Sequence, residues 1–290
     1  MMDDIFAIAG SKNKLRCDSY VPLSSEYISD DCNSVVCRKC GEVRRVKKYS
    51  TLFGTFIWAK ADPEDFCLCS CDRAVLEEKI KKEKHEKFLY LYDCEELRKL
   101  IGSEYISATF DRITSAIDSS YRIALEACKN YCRDKARTVK EGIGIYLYSP
   151  NPGVGKSTLM ACVRNEFIKD DIPCVYINSS DIIEYARDNG DDIERKFGFS
   201  MFTRVPVLII DDIGAQSLDR NTSYCGWAKD VWYSLMEKRN KDNLCTCFTS
   251  NYSPDELMTK QGFDFKTVDR IKERCSHRIY RIDGNSFRGK

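Results

Sequence analysis

Long hydrophobic runs are missing from this sequence. Its longest uninterrupted apolar stretch, Val205 to Ile210, contains Pro206 and falls far short of the roughly 20 residues a helix needs to cross a bilayer, so no membrane partner is expected. Charge of one sign is missing too, since 46 Lys and Arg oppose 45 Asp and Glu for a net charge of +1. Without a global field to draw it to polyanions, the chain must make any nucleic-acid contact through local patches. Proline and glycine are modest at 7 and 15, and hydrophobic residues reach 43%, which excludes a collagen-like, low-complexity or largely disordered protein. No basic n-region followed by an apolar h-region opens the chain, because Asp3 and Asp4 stand where positive charge is needed. A cytoplasmic, reducing location is the expectation.

A length of 290 residues suggests two domains. The 16 cysteines do not fit a secreted disulfide scaffold, which is short, exported and loop-rich. Six of them fall between Cys32 and Cys71 and eight are spread through the sequence after residue 100, so two roles are implied. Residues 1–72 are poor in long periodic segments and rich in Cys, Ser and Asp, which reads as a small irregular or β-hairpin unit in need of a staple. Residues 73–104 form a charged helical connector. Glu77/Lys81, Glu78/Lys82 and Glu83/Lys87 are spaced for i,i+4 pairs, and only a thin apolar stripe of Ala74, Ile80, Phe88 and Leu91 accompanies them.

Residues 105–290 alternate helical and strand-like segments. The pattern predicts strands at 143–148, 174–178, 205–210, 244–248 and 278–282, with helices around 119–140, 156–168, 228–239, after Pro254 and near 268–275. That alternation argues for an α/β fold, a parallel sheet sandwiched by helices.

The strand ending at Tyr148 runs into SPNPGVGKST. Asn151, Pro152, Gly153, Val154, Gly155, Lys156, Ser157 and Thr158 thus lie between a strand and an amphipathic helix, where a phosphate-binding loop belongs. Glycines let successive backbone N–H groups turn toward a β-phosphate, Lys156 reaches the β and γ oxygens of ATP, and the Ser157 hydroxyl can join Mg²⁺. Pro150 stands where the first glycine of G-x-x-x-x-G-K-[ST] would fall, so the start of the loop must differ from the usual geometry. Further on, VLIIDD ends in Asp211 and Asp212. Two acids at the C-terminal edge of a parallel strand suit Mg²⁺ orientation through its waters (Asp211) and polarisation of an attacking water (Asp212). Another strand ends in Thr249, Ser250 and Asn251, and Asn251 can hold that water or the γ-phosphate. Arg270, Arg274 and Arg288 are candidate γ-phosphate cations.

Taken in order, GVGKST, VLIIDDIGAQ, TSN followed by DEL, DRI and a closing SFR resemble the AAA+ ATPase domain of replicative-helicase loaders of the DnaC/DnaI type, over residues 105–290. The wider clade also contains the IstB-type transposition ATPases. The resemblance implies that Lys156 and Ser157 are the Walker A pair, Asp211 and Asp212 the Walker B pair, and Asn251 the sensor-1 residue. It implies Arg270 as the arginine finger, with Arg274 one turn away as its competitor, and Arg288 as the sensor-2 arginine. Loaders of this kind grip single-stranded DNA inside an open AAA+ spiral through an insertion between the second and third core strands. Here that is residues 181–204, with Tyr185, Arg187, Arg195, Lys196, Phe197, Phe199, Phe202 and Arg204 as stacking and phosphate-tracking candidates.

Cys37-Arg-Lys-Cys40-Gly41 is a knuckle that supplies two thiolates, with Gly41 easing the turn. A distal pair comes from Cys67, Cys69 and Cys71. Cys69 and Cys71 are preferred, Cys67 is held in reserve, and Cys32 and His85 are weaker candidates. Four thiolates make a closed structural Zn²⁺ site. The basic residues around the knuckle suit nucleic acid by charge alone, but the resemblance implies that this region docks on a hexameric replicative DNA helicase. The expectation is an ATP-dependent loader of that helicase onto single-stranded DNA. The alternatives are a transposition helper ATPase, which would prefer duplex DNA, and a helicase-binding adaptor with a weak ATPase, for which Pro150 speaks.

Overall fold

The computed structural model describes residues 22–30, 33–50, 55–61, 69–113, 118–187, 198–218 and 223–287. The chain divides into two compact units, residues 1–85 and 86–290.

In the first unit, β1 (Glu26–Ile28), β2 (Ser34–Cys37), β3 (Val43–Ser50) and β4 (Thr55–Lys60) form an antiparallel sheet in sequence order. The β2–β3 turn is the Cys37–Gly41 knuckle. Gly41 adopts φ 76°, a left-handed conformation that a side chain would strain, and its N–H closes the turn on Cys37 O at 2.9 Å. Among the described residues few apolar side chains are buried here, Val35 and Val36 among them, while Arg44 is buried against Glu26 at 3.4 Å and Asp72 at 2.9 Å. Helix α1 (Ser70–Tyr92) starts in this unit and buries none of its side chains, in keeping with its dense charge.

The second unit is built on a parallel sheet of β5 (Tyr146–Tyr148), β6 (Cys174–Asn178), β7 (Val207–Ile213), β8 (Cys245–Ser250) and β9 (Ile279–Arg281), in spatial order β6-β7-β8-β5-β9. Alternation along the strands feeds two apolar layers. Val175, Ile177, Leu208 and Ile210 pack with α6 (Ser179–Arg187), α7 (Ser223–Lys241), α8 (Pro254–Gln261) and α9 (Phe265–Cys275). Cys174, Tyr176, Val207 and Ile209 pack against α3 (Ser119–Arg133) and α5 (Lys156–Lys169). Most of these side chains are fully buried, each worth about 1.5–3 kcal/mol relative to exposure. The short helices α2 (Glu95–Ile101) and α4 (Lys135–Lys140) complete the unit. Among the described residues no helix is long and apolar enough to cross a membrane.

Boundaries differ from the sequence pattern where backbone geometry intervenes. The strand expected at 205–210 begins after Pro206, which has no N–H to give a ladder, and runs on through both acids to Ile213. The strand expected from Ile143 begins at Tyr146, because Gly144 N–H is spent on Arg274 O at 2.9 Å. Phe202 is fully buried, and Tyr185 and Phe199 pack on the same core with their rings 5.2 and 6.3 Å from that of Phe202. Phe202 therefore belongs to the core and offers no face to a base, while Tyr185 and Phe199 are partly buried against it. Arg195, Lys196 and Phe197 lie outside the described residues, as do Cys32, Cys67 and Arg288.

Candidate functional site

After β5 the chain turns at Ser149, whose Oγ accepts the Asn151 N–H at 3.1 Å, so a side chain organises the start of the loop where Pro150 replaces a glycine. Gly153 and Gly155 have φ of 75° and 87°. A Cβ on Gly155 would also lie 2.9 Å from the Tyr121 ring, so both conformation and space require glycine there. Gly155 is the N-cap of α5, and Lys156 and Ser157 are the first helical residues. The loop therefore delivers its cation and hydroxyl at the positive end of a helix of 14 residues. The chain's C-terminal segment braces the loop, with Phe287 N–H donating to Gly153 O at 2.9 Å and Asn151 Nδ2 to Gly284 O at 3.3 Å.

Asp211 and Asp212 occupy an irregularity in the β7–β8 ladder between Ile210 and Ile213. Asp212 there takes φ 55°, an uncommon conformation for a residue with a side chain and one that concentrates at functional sites. Neighbouring bonds hold it. Asp212 N–H donates to Thr249 Oγ1 at 2.8 Å, Ser179 Oγ donates to Asp212 O at 2.9 Å, and Asn251 Nδ2 donates to Asp212 Oδ1 at 3.2 Å. The bulge splits the two carboxylates: Asp211 Oδ1 accepts from Ser157 Oγ at 3.0 Å and from the Thr249 hydroxyl, while Asp212 Oδ1 accepts from Asn251. Asn251 Oδ1 also accepts from Lys156 Nζ at 3.0 Å.

Lys156, Ser157, Asp211, Asp212, Thr249 and Asn251 thus converge from two neighbouring parallel strands and one helix on a single cavity of about 370 Å³, which Pro152 and Gly153 also line. Next to it Gly153 to Thr158, Tyr105 and Phe287 line a smaller recess of about 190 Å³. A cation, a hydroxyl beside a carboxylate, and a helix N-terminus in one polar cavity match the donor set for a triphosphate with Mg²⁺.

Residues 145–267 match the family described as "ATPase family associated with various cellular activities (AAA)". Replicative helicase loader DnaI of Bacillus subtilis is 28% identical over 181 residues, covering 57% of this chain and 55% of that protein. Replicative helicase loader DnaC of Escherichia coli K12 is 23% identical over 159 residues, covering 53% of this chain and 61% of that one. Over residues 145–267 the chain is thus similar to AAA ATPases, and its relatives are loaders of the DnaC/DnaI type. The match spans little more than half the length of either relative. In fold, the crystal structure of the DnaC helicase loader aligns with a TM-score of 0.51 at 22% identity, covering 63% of this chain and all of that one.

Elsewhere in the second unit, the two arginines of α9 have different surroundings. Arg274 reaches back to Asn243 Oδ1 at 2.7 Å and Gly142 O at 3.3 Å, tying helix to loops. Arg270 is partly exposed and pairs with Glu237 at 2.8 Å and Glu273 at 3.3 Å. Neither lines the nucleotide-sized cavity.

The cysteine expectation has a geometric counterpart in the first unit. Ligand atoms of Cys37, Cys40, Cys69 and Cys71 all lie within 4.8 Å of one another, with Sγ separations of 3.5 Å for Cys37–Cys71 and 3.0 Å for Cys69–Cys71. Tetrahedral thiolates about 2.3 Å from zinc are about 3.8 Å apart, so the four sulfurs fit such an ion. Cys71 sits in the first turn of α1, and Lys39 N–H reaches Cys37 Sγ at 3.4 Å. Burial works to raise the Cys37 thiol, but N–H groups of Cys40 and Lys39 and the neighbouring thiols outweigh it and bring the value down to about 6, which favours a thiolate. His85 is not in the cluster.

Five contributors to the site are not legible as such in the sequence. Thr249 accepts from Asp212 N–H and donates to the Asp211 carboxylate, so it links the two acids; its place just before Ser250 and Asn251 was the available signal. Tyr105 and Phe287 line the recess, and Tyr121 packs on Phe287 with rings 5.5 Å apart. Asn165 in α5 donates to the carbonyls of Tyr105, Ile106 and Ala108 at 2.9–3.1 Å, holding Tyr105 in place, and nothing in its local sequence announces that.

Proposed function

We propose that the protein is an ATP-dependent loader that binds the hexameric replicative DNA helicase and delivers it onto single-stranded DNA. The supporting observation is the convergence of Lys156, Asn251 and Asp212 in one hydrogen-bonded line beside the Ser157–Asp211 pair, within a domain of the DnaC/DnaI type. In this reading the Gly153–Thr158 loop wraps the phosphates and Lys156 moves from Asn251 to the β and γ oxygens. Asn251, released on one side, keeps its bond to Asp212 and holds a water, and Asp212 polarises that water for attack. Ser157 and Asp211 hold Mg²⁺, which when bound neutralises charge developing on the phosphates. Arg270 and Arg288 answer the same charge, Arg270 from a neighbouring subunit in an open AAA+ spiral. Cys37, Cys40, Cys69 and Cys71 hold structural Zn²⁺, and the unit they staple captures the helicase. The protein acts in the cytoplasm.

The test is helicase retention on circular single-stranded DNA in the presence of this protein and ATP, with a pull-down by the intact chain as companion. ATP-dependent retention and recovery of the replicative helicase support the loader. Recovery of a transposase with preference for duplex DNA would move the reading to a transposition helper, and helicase recovery with no ATP-dependent retention would leave an adaptor.

A further inference from the structure

Within the AAA cavity one buried polar group has no role in the bonds described above. Tyr176, in the middle of β6, is 3% exposed, and its hydroxyl is buried without a hydrogen-bond partner. Strand alternation turns it away from Val175 and Ile177 and into the layer beside α5. There it lines the same cavity as Ser157 and Asp211. The hydroxyls of Ser157 and Thr249 are both committed to Asp211 Oδ1. Of the buried polar atoms lining the cavity among the described residues, the Tyr176 hydroxyl alone is unpaired. A buried hydroxyl left unpaired destabilises the protein, and native structures keep such groups for a reason.

We propose that Tyr176 is a positioning residue for the divalent cation that accompanies the nucleotide, its hydroxyl oxygen accepting a hydrogen bond from a water in that cation's shell. The inference rests on reading the cavity as an ATP–Mg²⁺ site. Mg²⁺ bound to proteins keeps several of its waters, and a cation-bound water donates through its hydrogens, so it needs acceptors close by. A phenol oxygen can accept such a hydrogen bond through its lone pairs. Phenylalanine would fill the same space and lack only this oxygen.

The experiment compares the intact protein with Tyr176→Phe, using a fluorescent ATP analogue titrated with and without Mg²⁺, and thermal melts with and without both ligands. Loss of one hydrogen bond to the ion's shell should raise half-saturating Mg²⁺ about fivefold, while metal-free nucleotide affinity stays within about twofold. The ligand-free variant should melt no lower than the parent, because an orphaned hydroxyl has been removed, and its stabilisation by Mg²⁺ and nucleotide together should shrink. An unchanged Mg²⁺ requirement overturns the inference. So does an equal loss of affinity without metal, which would mark Tyr176 as structural or as a direct nucleotide contact. If the parent protein itself shows no Mg²⁺-dependent nucleotide binding, the ATP-site reading falls and this inference falls with it.

Discussion

Lys156 Nζ and Asn251 Oδ1 are 3.0 Å apart although 95 positions separate the residues in the chain. The amide of Asn251 passes the contact on to Asp212 at 3.2 Å, so one side chain joins the cation of the loop to the acid of β7. In the proposed mechanism arriving phosphates would take Lys156 from Asn251, coupling occupancy of the loop to the freedom of Asn251 to hold a water.

Lys156→Ala should abolish tight ATP binding. Charge-assisted hydrogen bonds are worth about 1.5–3 kcal/mol each, so losing a cation that spans two phosphates should weaken affinity on the order of a hundredfold. Fluorescence titration measures this, and unchanged affinity would remove the phosphate-loop assignment.

Asp212→Asn should keep nucleotide binding and cut turnover by roughly 10²–10⁴, the usual contribution of a positioned acid or base. Asparagine tolerates the left-handed backbone at φ 55°, so the fold should survive. Equal loss of binding and turnover would show that the carboxylate is there to hold the bulge.

Much of this arrangement was legible in the sequence, and the part that was not has a common physical origin. β6 and the first turn of α5 fall where apolar alternation and the glycine-rich loop put them. The pair Asp211–Asp212 is visible as a strand end, but the bulge that gives the two acids different partners depends on pairing with β8, which no local pattern encodes. Thr249 and Tyr176 read as ordinary strand residues until three strands stand side by side. Phe287 sits in a tail whose arginine drew the eye, yet its backbone N–H is the described brace on Gly153. Aromatics in residues 181–204 suggested a single-stranded-DNA face; Phe202 is instead fully buried, because it packs into the core just before β7.

Zinc should be present at one equivalent per chain. Metal analysis of the intact protein purified without chelator decides this, and absence of zinc defeats the cluster. Cys37→Ser/Cys40→Ser should lose the metal while ATP binding persists, since the four sulfurs lie in the first compact unit and the cavity in the second. Retention of zinc in that variant would mean that other residues are the ligands.

Asp93 carries a pH dependence with a definite sign. Burial alone would raise its carboxyl, but Arg98 and Arg164, each 2.5 Å away, override burial and hold it below its ordinary 3.8. Its stabilising contribution is therefore present above that value and is lost as pH falls through the lower native one. Asp93→Asn leaves Arg164, whose side chain is 3% exposed, without its charge partner and should cost about 3 kcal/mol at neutral pH. Melting curves should show the gap between variant and parent closing below about pH 4.

Arg270→Ala should leave ATP binding by an isolated subunit nearly intact and depress hydrolysis in the assembled state. Arg270 is held by Glu237 and Glu273 on its own subunit, and a role on a neighbour's nucleotide requires that it leave them. A residue acting in trans has a distinctive mixing signature. Arg270→Ala protein combined with Asp212→Asn protein builds some interfaces that pair an intact acid with an intact arginine, so the mixture should regain part of the ATPase activity each variant lacks. Repeating the experiment with Arg274→Ala separates the two turns of α9. Arg274 is bonded to Asn243 and Gly142, so its loss should lower stability and show no rescue on mixing. If mixing restores nothing for Arg270 at concentrations where oligomers form on single-stranded DNA, the arginine acts within its own subunit or not at all, and the spiral assembly is wrong.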